Sequence, residues 1–70
     1  MFRFKCQRAK KGWSQAELAR RTGMHPSTIS RIETGQMRPY PSQVKKIASV
    51  LGIAEDDVME EVGGGDPYVT

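Results

Sequence analysis

Glycine and proline divide this chain into short helical segments, and one such break constrains the fold more than any other feature. Residues 14–22 place apolar side chains between polar ones, and Ser14 with Glu17 three residues later is typical of a helix capping box. Gly23 suits the left-handed end of a helix, and Pro26 suits the first position of the next helix. The pattern therefore predicts two short helices joined by a tight turn.

The second of these helices has one apolar side. Ile29 and Ile32 are three residues apart, so both point to the same side of the helix and can pack against Leu18 and Ala19. The helix is predicted to end before Gly35. Its remaining side chains are therefore expected to turn outward.

Three further segments follow the same logic. Residues 34–41 contain glycine and two prolines and are predicted to form a loop. The next helix, which is the clearest amphipathic one, ends at Gly52 and carries its apolar stripe on Val44, Ile47, Ala48 and Leu51. Acidic residues favour the start of a fifth helix over 55–62. Three glycines then predict a flexible tail over 63–70.

The N-terminal segment fits two patterns. Phe2, Phe4 and Cys6 alternate as in a strand, whereas Phe2, Cys6, Ala9 and Trp13 recur at helical spacing. A helix is favoured, because a single strand would leave its backbone groups unpaired. Cys6 and Trp13 are then expected to pack in the core. The predicted fold is an all-α, compact bundle of five short helices over residues 1–62.

Length and composition exclude several classes of protein. A chain of 70 residues that is 37% apolar has little room for a substrate cavity. A single cysteine, Cys6, excludes an intramolecular disulfide and a cysteine-based zinc cluster. The sequence has neither a secretory signal nor a membrane-spanning run, so a cytoplasmic protein is expected. No metal site and no cofactor is predicted.

Charge is sorted along the chain. All eleven Lys and Arg lie at or before Lys46, and only Glu17 and Glu33 among the acids precede residue 54. Residues 1–53 therefore carry +9 and the rest −6. This asymmetry is typical of a protein that binds a polyanion, but a basic surface that is merely solvated would give the same count.

Two stretches of the sequence distinguish these possibilities. GWSQAELARRTGMHPSTISRIETG, followed by PYPSQVKKIASVLGI, resembles the DNA-binding domain of the phage repressor and Cro family over roughly residues 3 to 60. The resemblance implies a lambda-repressor-like bundle in which Gln15 to Glu33 form a helix-turn-helix unit. The scaffold positions of that unit are Ala19, Gly23, Ile29 and Ile32.

The family reads DNA bases from the start and the outer face of the second helix of this unit, which enters the major groove. The resemblance places four residues there: Pro26, Ser27, Ser30 and Arg31. Arg31 is the strongest candidate, because a guanidinium can donate two parallel hydrogen bonds to guanine. Pro26 offers only an apolar surface where related repressors often carry a polar side chain, so the recognition code of the family does not transfer simply.

Contacts to DNA phosphates are expected beside the reading helix. Side-chain donors and helix N-termini suit phosphate oxygens, and the candidates are Arg8, Gln15, His25, Thr34, Gln36 and Arg38. His25 is also expected to cap the second helix of the unit. The resemblance further implies an ion pair between Arg8 and Glu33.

These features predict a transcriptional regulator that binds double-stranded DNA sequence-specifically. A repressor that binds a palindromic operator as a homodimer is the first hypothesis, with the dimer contact near residues 39–41 or in the fifth helix. The alternative is an antitoxin that binds a protein partner through the acidic segment at residues 55–61. An enzyme is not expected, because no catalytic residues can be assigned: the chain has one histidine, and no nucleophile is paired with a base.

Overall fold

The computed structural model describes residues 1–62, which form five α-helices. These are α1 (Arg3–Lys10), α2 (Gln15–Thr22), α3 (Pro26–Glu33), α4 (Pro41–Leu51) and α5 (Glu55–Val58). The predicted all-α bundle of five short helices is confirmed. The tail predicted at 63–70 lies outside the described residues.

Every helix contributes at least one fully buried side chain to a single core. The largest of these are Phe4, Leu18, Ile29, Ile32, Ile47 and Val58. Helices α2 and α3 pack directly on each other, and α4 supports α2 from another side. Because α3 is held by its two isoleucines, its opposite face is free to contact another molecule.

The start of α2 contains half of the predicted capping box. The Ser14 hydroxyl oxygen accepts a hydrogen bond from the Glu17 N–H at 3.0 Å. The Glu17 carboxylate does not return to Ser14, since it binds Arg20 and Arg21 one turn further along the helix. The Glu17 carboxylate therefore binds two guanidinium groups in place of the Ser14 N–H, and the helix start is capped by the Ser14 side chain alone.

Gly23 ends α2 in the left-handed conformation that the turn requires. Its φ is 72°, and its N–H and that of Met24 both donate to the Ala19 carbonyl. A methyl group at this position would meet no atom within 4 Å. The constraint on residue 23 is therefore the backbone angle and not the space.

Replacing Gly23 by alanine is expected to lower the free energy of unfolding by about 1–2 kcal/mol, the cost of a left-handed L-residue. Urea denaturation monitored by circular dichroism measures the change. Lys46→Ala is a matched control, because it alters an exposed position within a helix. Equal stability of the Gly23 variant and the wild type would show that the turn does not depend on this angle.

The fifth helix is shorter than predicted, and its expected extent of 55–62 is wrong. The chain leaves helical geometry at Met59, and residues 60–62 run beside the N-terminus. Arg3 N–H donates to the Glu60 carbonyl at 2.8 Å, and Val62 N–H donates to the Met1 carbonyl at 2.9 Å. Residues 60–62 therefore form backbone hydrogen bonds with residues 1–3 in place of the last predicted turn of α5.

The N-terminal helix is confirmed, but its predicted buried side is partly wrong. Phe4 and Cys6 are buried, whereas Ala9 is exposed. Phe2, the first residue of the strand-like alternation, is extended and makes an antiparallel bridge with Glu61, so its backbone groups are not left unpaired. Trp13 lies beyond the helix and is half-buried against the core instead of filling it.

Candidate nucleic-acid interface

The scaffold of the helix-turn-helix unit has the burial that the sequence predicts. Ala19, Ile29 and Ile32 are all buried, and the backbone turns at Gly23 between the two helices. A small side chain at Ala19 allows α2 to lie close to the helix that packs on it. These residues position α3 but have no exposed group with which to contact DNA.

The predicted base-reading residues share the outer side of α3. Pro26, Ser27 and Arg31 are exposed, and Ser30 is half-buried. Pro26 occupies the start of the helix, where its missing N–H removes no hydrogen bond. The Arg31 guanidinium makes no hydrogen bond or ion pair with any side chain or carbonyl of residues 1–62. All its donors are therefore available to a ligand.

His25 caps α3, as predicted. Its Nδ1 accepts a hydrogen bond from the Ser27 N–H at 3.1 Å, and the Ser27 hydroxyl lies 2.7 Å from the same nitrogen. A nitrogen that accepts from a backbone N–H carries no proton, so the Ser27 hydroxyl donates to it and the ring proton is on Nε2. His25 thus presents an exposed N–H donor, and Ser27 presents lone pairs.

A buried carboxylate connects α1, α2 and α3. The Glu33 side chain is fully buried and accepts two hydrogen bonds from the Arg8 guanidinium, at 2.7 and 3.1 Å. A third comes from the Gln15 amide at 2.8 Å, and Arg8 also donates to the Trp13 carbonyl at 2.7 Å. The ion pair implied by the family resemblance is present, and Gln15 belongs to the same network.

This network places two predicted phosphate contacts at the start of the unit. The Arg8 side chain is 14% exposed, so most of its donors are directed inward. Gln15 lies at the first position of α2, and only one of its two amide hydrogens is directed at Glu33. The second amide hydrogen remains a donor for a phosphate oxygen.

The loop after α3 carries the other three predicted phosphate contacts. The Arg31 carbonyl accepts from the Gln36 and Met37 N–H groups, which ties the loop to the end of the helix. Gln36 and Arg38 have exposed side chains. The Thr34 hydroxyl donates to the Ser30 and Arg31 carbonyls, so its donor is already used within the protein.

The six arginines separate into two groups. Four are paired with carboxylates: Arg3 with Glu60, Arg8 with Glu33, and both Arg20 and Arg21 with Glu17. Arg31 and Arg38 have no carboxylate partner within residues 1–62, and both belong to the predicted reading surface. The four paired arginines share three carboxylates, which leaves one net positive charge among them, whereas Arg31 and Arg38 each keep a full charge beside α3.

Three of these four ion pairs were not predicted from the sequence: the two that Glu17 makes with Arg20 and Arg21, and the one between Arg3 and Glu60. The hydrogen bond from Arg20 lowers the pKa of Glu17, despite partial loss of water around the carboxylate, and Arg21 lowers it further. The hydrogen bond to Glu60 raises the pKa of Arg3. The i, i+3 and i, i+4 spacing of Glu17 with Arg20 and Arg21 is a sequence signal for the two Glu17 pairs. No such signal exists for Arg3 and Glu60, which are 57 residues apart.

Trp13 lies at the edge of the unit under two cations. The Arg21 guanidinium is 4.1 Å and the Lys11 ammonium 5.3 Å from the centre of its ring. Cation–π contacts of this kind hold an aromatic ring in place at a half-exposed site. The Trp13 carbonyl also accepts a hydrogen bond from Arg8. Both the ring and the backbone of Trp13 are therefore held in the turn between α1 and α2.

The described part of the chain, residues 1–62, offers neither a metal-binding cluster nor a membrane-spanning helix. No group of three His, Cys, Asp or Glu side chains lies together in a way that could hold a metal ion. None of the five helices has the length and apolar character needed to cross a bilayer.

Known proteins share this unit. A family model described as helix-turn-helix matches residues 7–58. A hypothetical transcription factor of Neisseria meningitidis is 40% identical over 47 residues, which cover 67% of this chain and 44% of that protein. An uncharacterized HTH-type transcriptional regulator of Mycobacterium bovis is 32% identical over 60 residues, covering 86% of this chain and 23% of the regulator.

The structural comparison agrees with these matches. The crystal structure of a hypothetical transcription factor from Neisseria superposes with a TM-score of 0.76 at 34% identity, over 80% of this chain and 63% of that one. The chain spans less than half the length of the two curated relatives. The chain belongs to the Cro/C1-type helix-turn-helix family of DNA-binding transcriptional regulators.

Proposed function

We propose that this protein is a sequence-specific repressor that binds a palindromic DNA operator as a homodimer. The observation that carries the proposal is the sorting of the arginines. Arg31 and Arg38 are exposed and lack a carboxylate partner within residues 1–62, whereas the other four are paired. Unneutralised guanidinium groups beside an exposed helix are suited to the phosphates and guanine edges of duplex DNA.

The position of each side chain decides whether we assign it to contacts with bases or to contacts with phosphates. Arg31, on the exposed side of α3, reads bases together with Pro26, Ser27 and Ser30. The phosphate contacts come from Arg8, Gln15, His25, Gln36 and Arg38, and from Thr34 once its hydroxyl leaves the Ser30 and Arg31 carbonyls. His25 contributes its Nε2–H, and Gln15 its second amide hydrogen. These two donors are held in position by internal hydrogen bonds, which reduces the entropy lost on binding.

A homodimer follows from the small size of the reading surface. One α3 presents four candidate base-reading side chains, and only Arg31 among them has a long, unengaged donor group. Two copies would address two successive turns of one DNA face, about 34 Å apart. Bound operator would then be unavailable to other proteins, which is the proposed basis of repression.

The antitoxin alternative has no specific support in the structure and stays a prediction. Glu60 is paired with Arg3, and Glu61 lies 3.5 Å from the N-terminal amine. Two of the acids expected to bind a partner are therefore engaged within the chain.

The affinity for a short mixed-sequence DNA duplex is expected to fall by about a hundredfold between about 50 and 200 mM salt, since a dimer that neutralises about four phosphates releases their counterions. Fluorescence anisotropy measures this affinity. Arg38→Ala is expected to reduce the salt slope by about one for each subunit, because it removes one phosphate contact.

Lys46→Ala is the matched control for the salt experiment. It removes the same charge from an exposed position of α4, outside the predicted interface. Binding that does not respond to salt would contradict the proposed phosphate contacts. Equal effects of the Arg38 and Lys46 variants would show that the chain attracts DNA only through its net charge.

A further inference from the structure

A histidine and a serine share two hydrogen bonds at the start of α3. Pro26, the first residue of the helix, has no N–H, so the Ser27 N–H is the first donor that needs a cap. His25 provides this cap, because its Nδ1 accepts from the Ser27 N–H at 3.1 Å. The Ser27 hydroxyl oxygen lies 2.7 Å from the same nitrogen. One ring nitrogen therefore binds both the backbone and the side chain of Ser27.

The backbone hydrogen bond fixes the direction of the side-chain hydrogen bond. A nitrogen that accepts from an N–H has no proton of its own, so only the Ser27 hydroxyl can donate between the two side chains. A serine hydroxyl has one hydrogen and two lone pairs. Since its hydrogen is directed at His25, the Ser27 side chain has only acceptors left. The side chain is exposed, so these lone pairs are accessible to a molecule that docks on α3.

The four DNA bases differ in what they present to such an acceptor. In the major groove, adenine and cytosine present an amino group, whereas thymine and guanine present a carbonyl oxygen in its place. We propose that His25 makes Ser27 a reader of amino groups, which selects adenine or cytosine over guanine or thymine at one position of each half-site. This inference rests on the proposed function and names the bases that one of its reading side chains selects.

The size of this preference follows from a count of hydrogen bonds. An amino group adds a hydrogen bond to Ser27 while the bond to His25 stays in place. To contact guanine or thymine, the Ser27 hydroxyl must leave Nδ1 and exchange one hydrogen bond for another. The bond given up is a weak one, because two donors share the single lone pair of Nδ1. We therefore expect a preference of about threefold, at the low end for one hydrogen bond.

Ser30, the other serine among the base-reading candidates, has no such restriction. Its hydroxyl makes no hydrogen bond within residues 1–62, so it is able either to donate or to accept. Ser30 is therefore expected to distinguish the four bases weakly. The two serines carry the same group on the same helix, and the difference between them comes from His25.

Competition binding tests the preference, with the full chain and a duplex selected from a random pool. Each position of a half-site is changed in turn to all four bases. The wild type is expected to show one position at which adenine and cytosine bind about threefold more tightly than guanine and thymine. Ser27→Ala is expected to remove this preference, because alanine has no acceptor.

His25→Gly is the decisive variant. Glycine is tolerated at a helix N-cap but has no side-chain acceptor, so the Ser27 hydroxyl is free to donate and the preference is expected to disappear. A merely structural role of His25 would instead weaken binding to all sequences alike. The guanine preference assigned to Arg31 is expected to remain, which shows that α3 still docks. A retained preference for adenine and cytosine in this variant would overturn the inference.

His25→Asn and Ser30→Ala are the matched controls. The asparagine Oδ1 lies as many bonds from the backbone as the histidine Nδ1 and has two lone pairs, so it is able to accept from both Ser27 groups. This variant lacks the Nε2–H and is expected to bind all sequences more weakly, with at least the wild-type preference. Ser30→Ala is also expected to keep the preference at this position. Loss of the preference in either control would overturn the inference.

Nitrogen-15 NMR of the free protein gives a readout that does not depend on DNA. With the imidazole neutral, the His25 proton is expected on Nε2, and a proton on Nδ1 would overturn the inference. A wild type that binds all sequences equally would contradict the proposed function and the inference together. A wild type that selects guanine through Arg31 but shows no preference dependent on His25 would overturn the inference alone.

Discussion

Glu33→Ala is expected to lower the free energy of unfolding by about 3–5 kcal/mol, because it removes one partner of a buried ion pair. The Glu33 side chain is fully buried and accepts hydrogen bonds from Arg8 and Gln15. Its loss leaves a guanidinium that is only 14% exposed without its counter-charge. For a domain of this size, such a loss is a large part of the total stability, which is about 5–15 kcal/mol in most proteins.

Urea denaturation of the variant and the wild type measures this loss. Glu17→Ala is the matched control, since Glu17 also accepts hydrogen bonds from guanidinium groups, from two nitrogens of Arg20 and one of Arg21, but does so at the surface. Exposed pairs contribute about 0.2–1 kcal/mol. Equal costs for the two variants would show that the Glu33 network does not hold the three helices together.

Arg31→Ala is expected to relax the base preference of the protein at one position of each half-site. Loss of a bidentate contact to guanine reduces discrimination by about 1–3 kcal/mol, or roughly 5- to 150-fold. Affinity for sites that lack the guanine should change little. The prediction depends on the exposed Arg31 guanidinium, which is unengaged within the described part of the chain.

Competition binding against a panel of singly substituted duplexes measures the preference at each position. Arg38→Ala is the comparison, because a phosphate contact carries no base information and its loss should weaken all sequences alike. If Arg31→Ala also weakens every sequence by the same factor, Arg31 is a phosphate anchor and the bases are read by other side chains or through DNA shape.

Most of the fold could be predicted from local signals. Gly23 and Pro26 determine a helix end and a helix start by their own backbone geometry, which does not depend on distant residues. The buried Ile29 and Ile32 follow from helical periodicity. These signals fixed the helix-turn-helix unit, and the family resemblance added the Arg8–Glu33 ion pair.

The features that the sequence did not predict depend on contacts between distant residues. The fifth helix ends at Val58 because the residues that follow form backbone hydrogen bonds with the N-terminal residues. No local sequence pattern predicts that pairing. The inward hydrogen bond of Gln15 has the same origin, since Glu33 lies 18 residues away. An open groove lined by residues of the loop after α3 and by Glu55 of α5 likewise exists only after the helices have packed.

Selection of bound sequences from a random pool of DNA duplexes tests the central claim most directly. We expect one enriched motif with two symmetric halves, whose centres are about 10–10.5 base pairs apart, and a guanine in each half that Arg31→Ala no longer selects. Recovery of unrelated sequences, bound no better than the starting pool, would contradict sequence-specific recognition by α3.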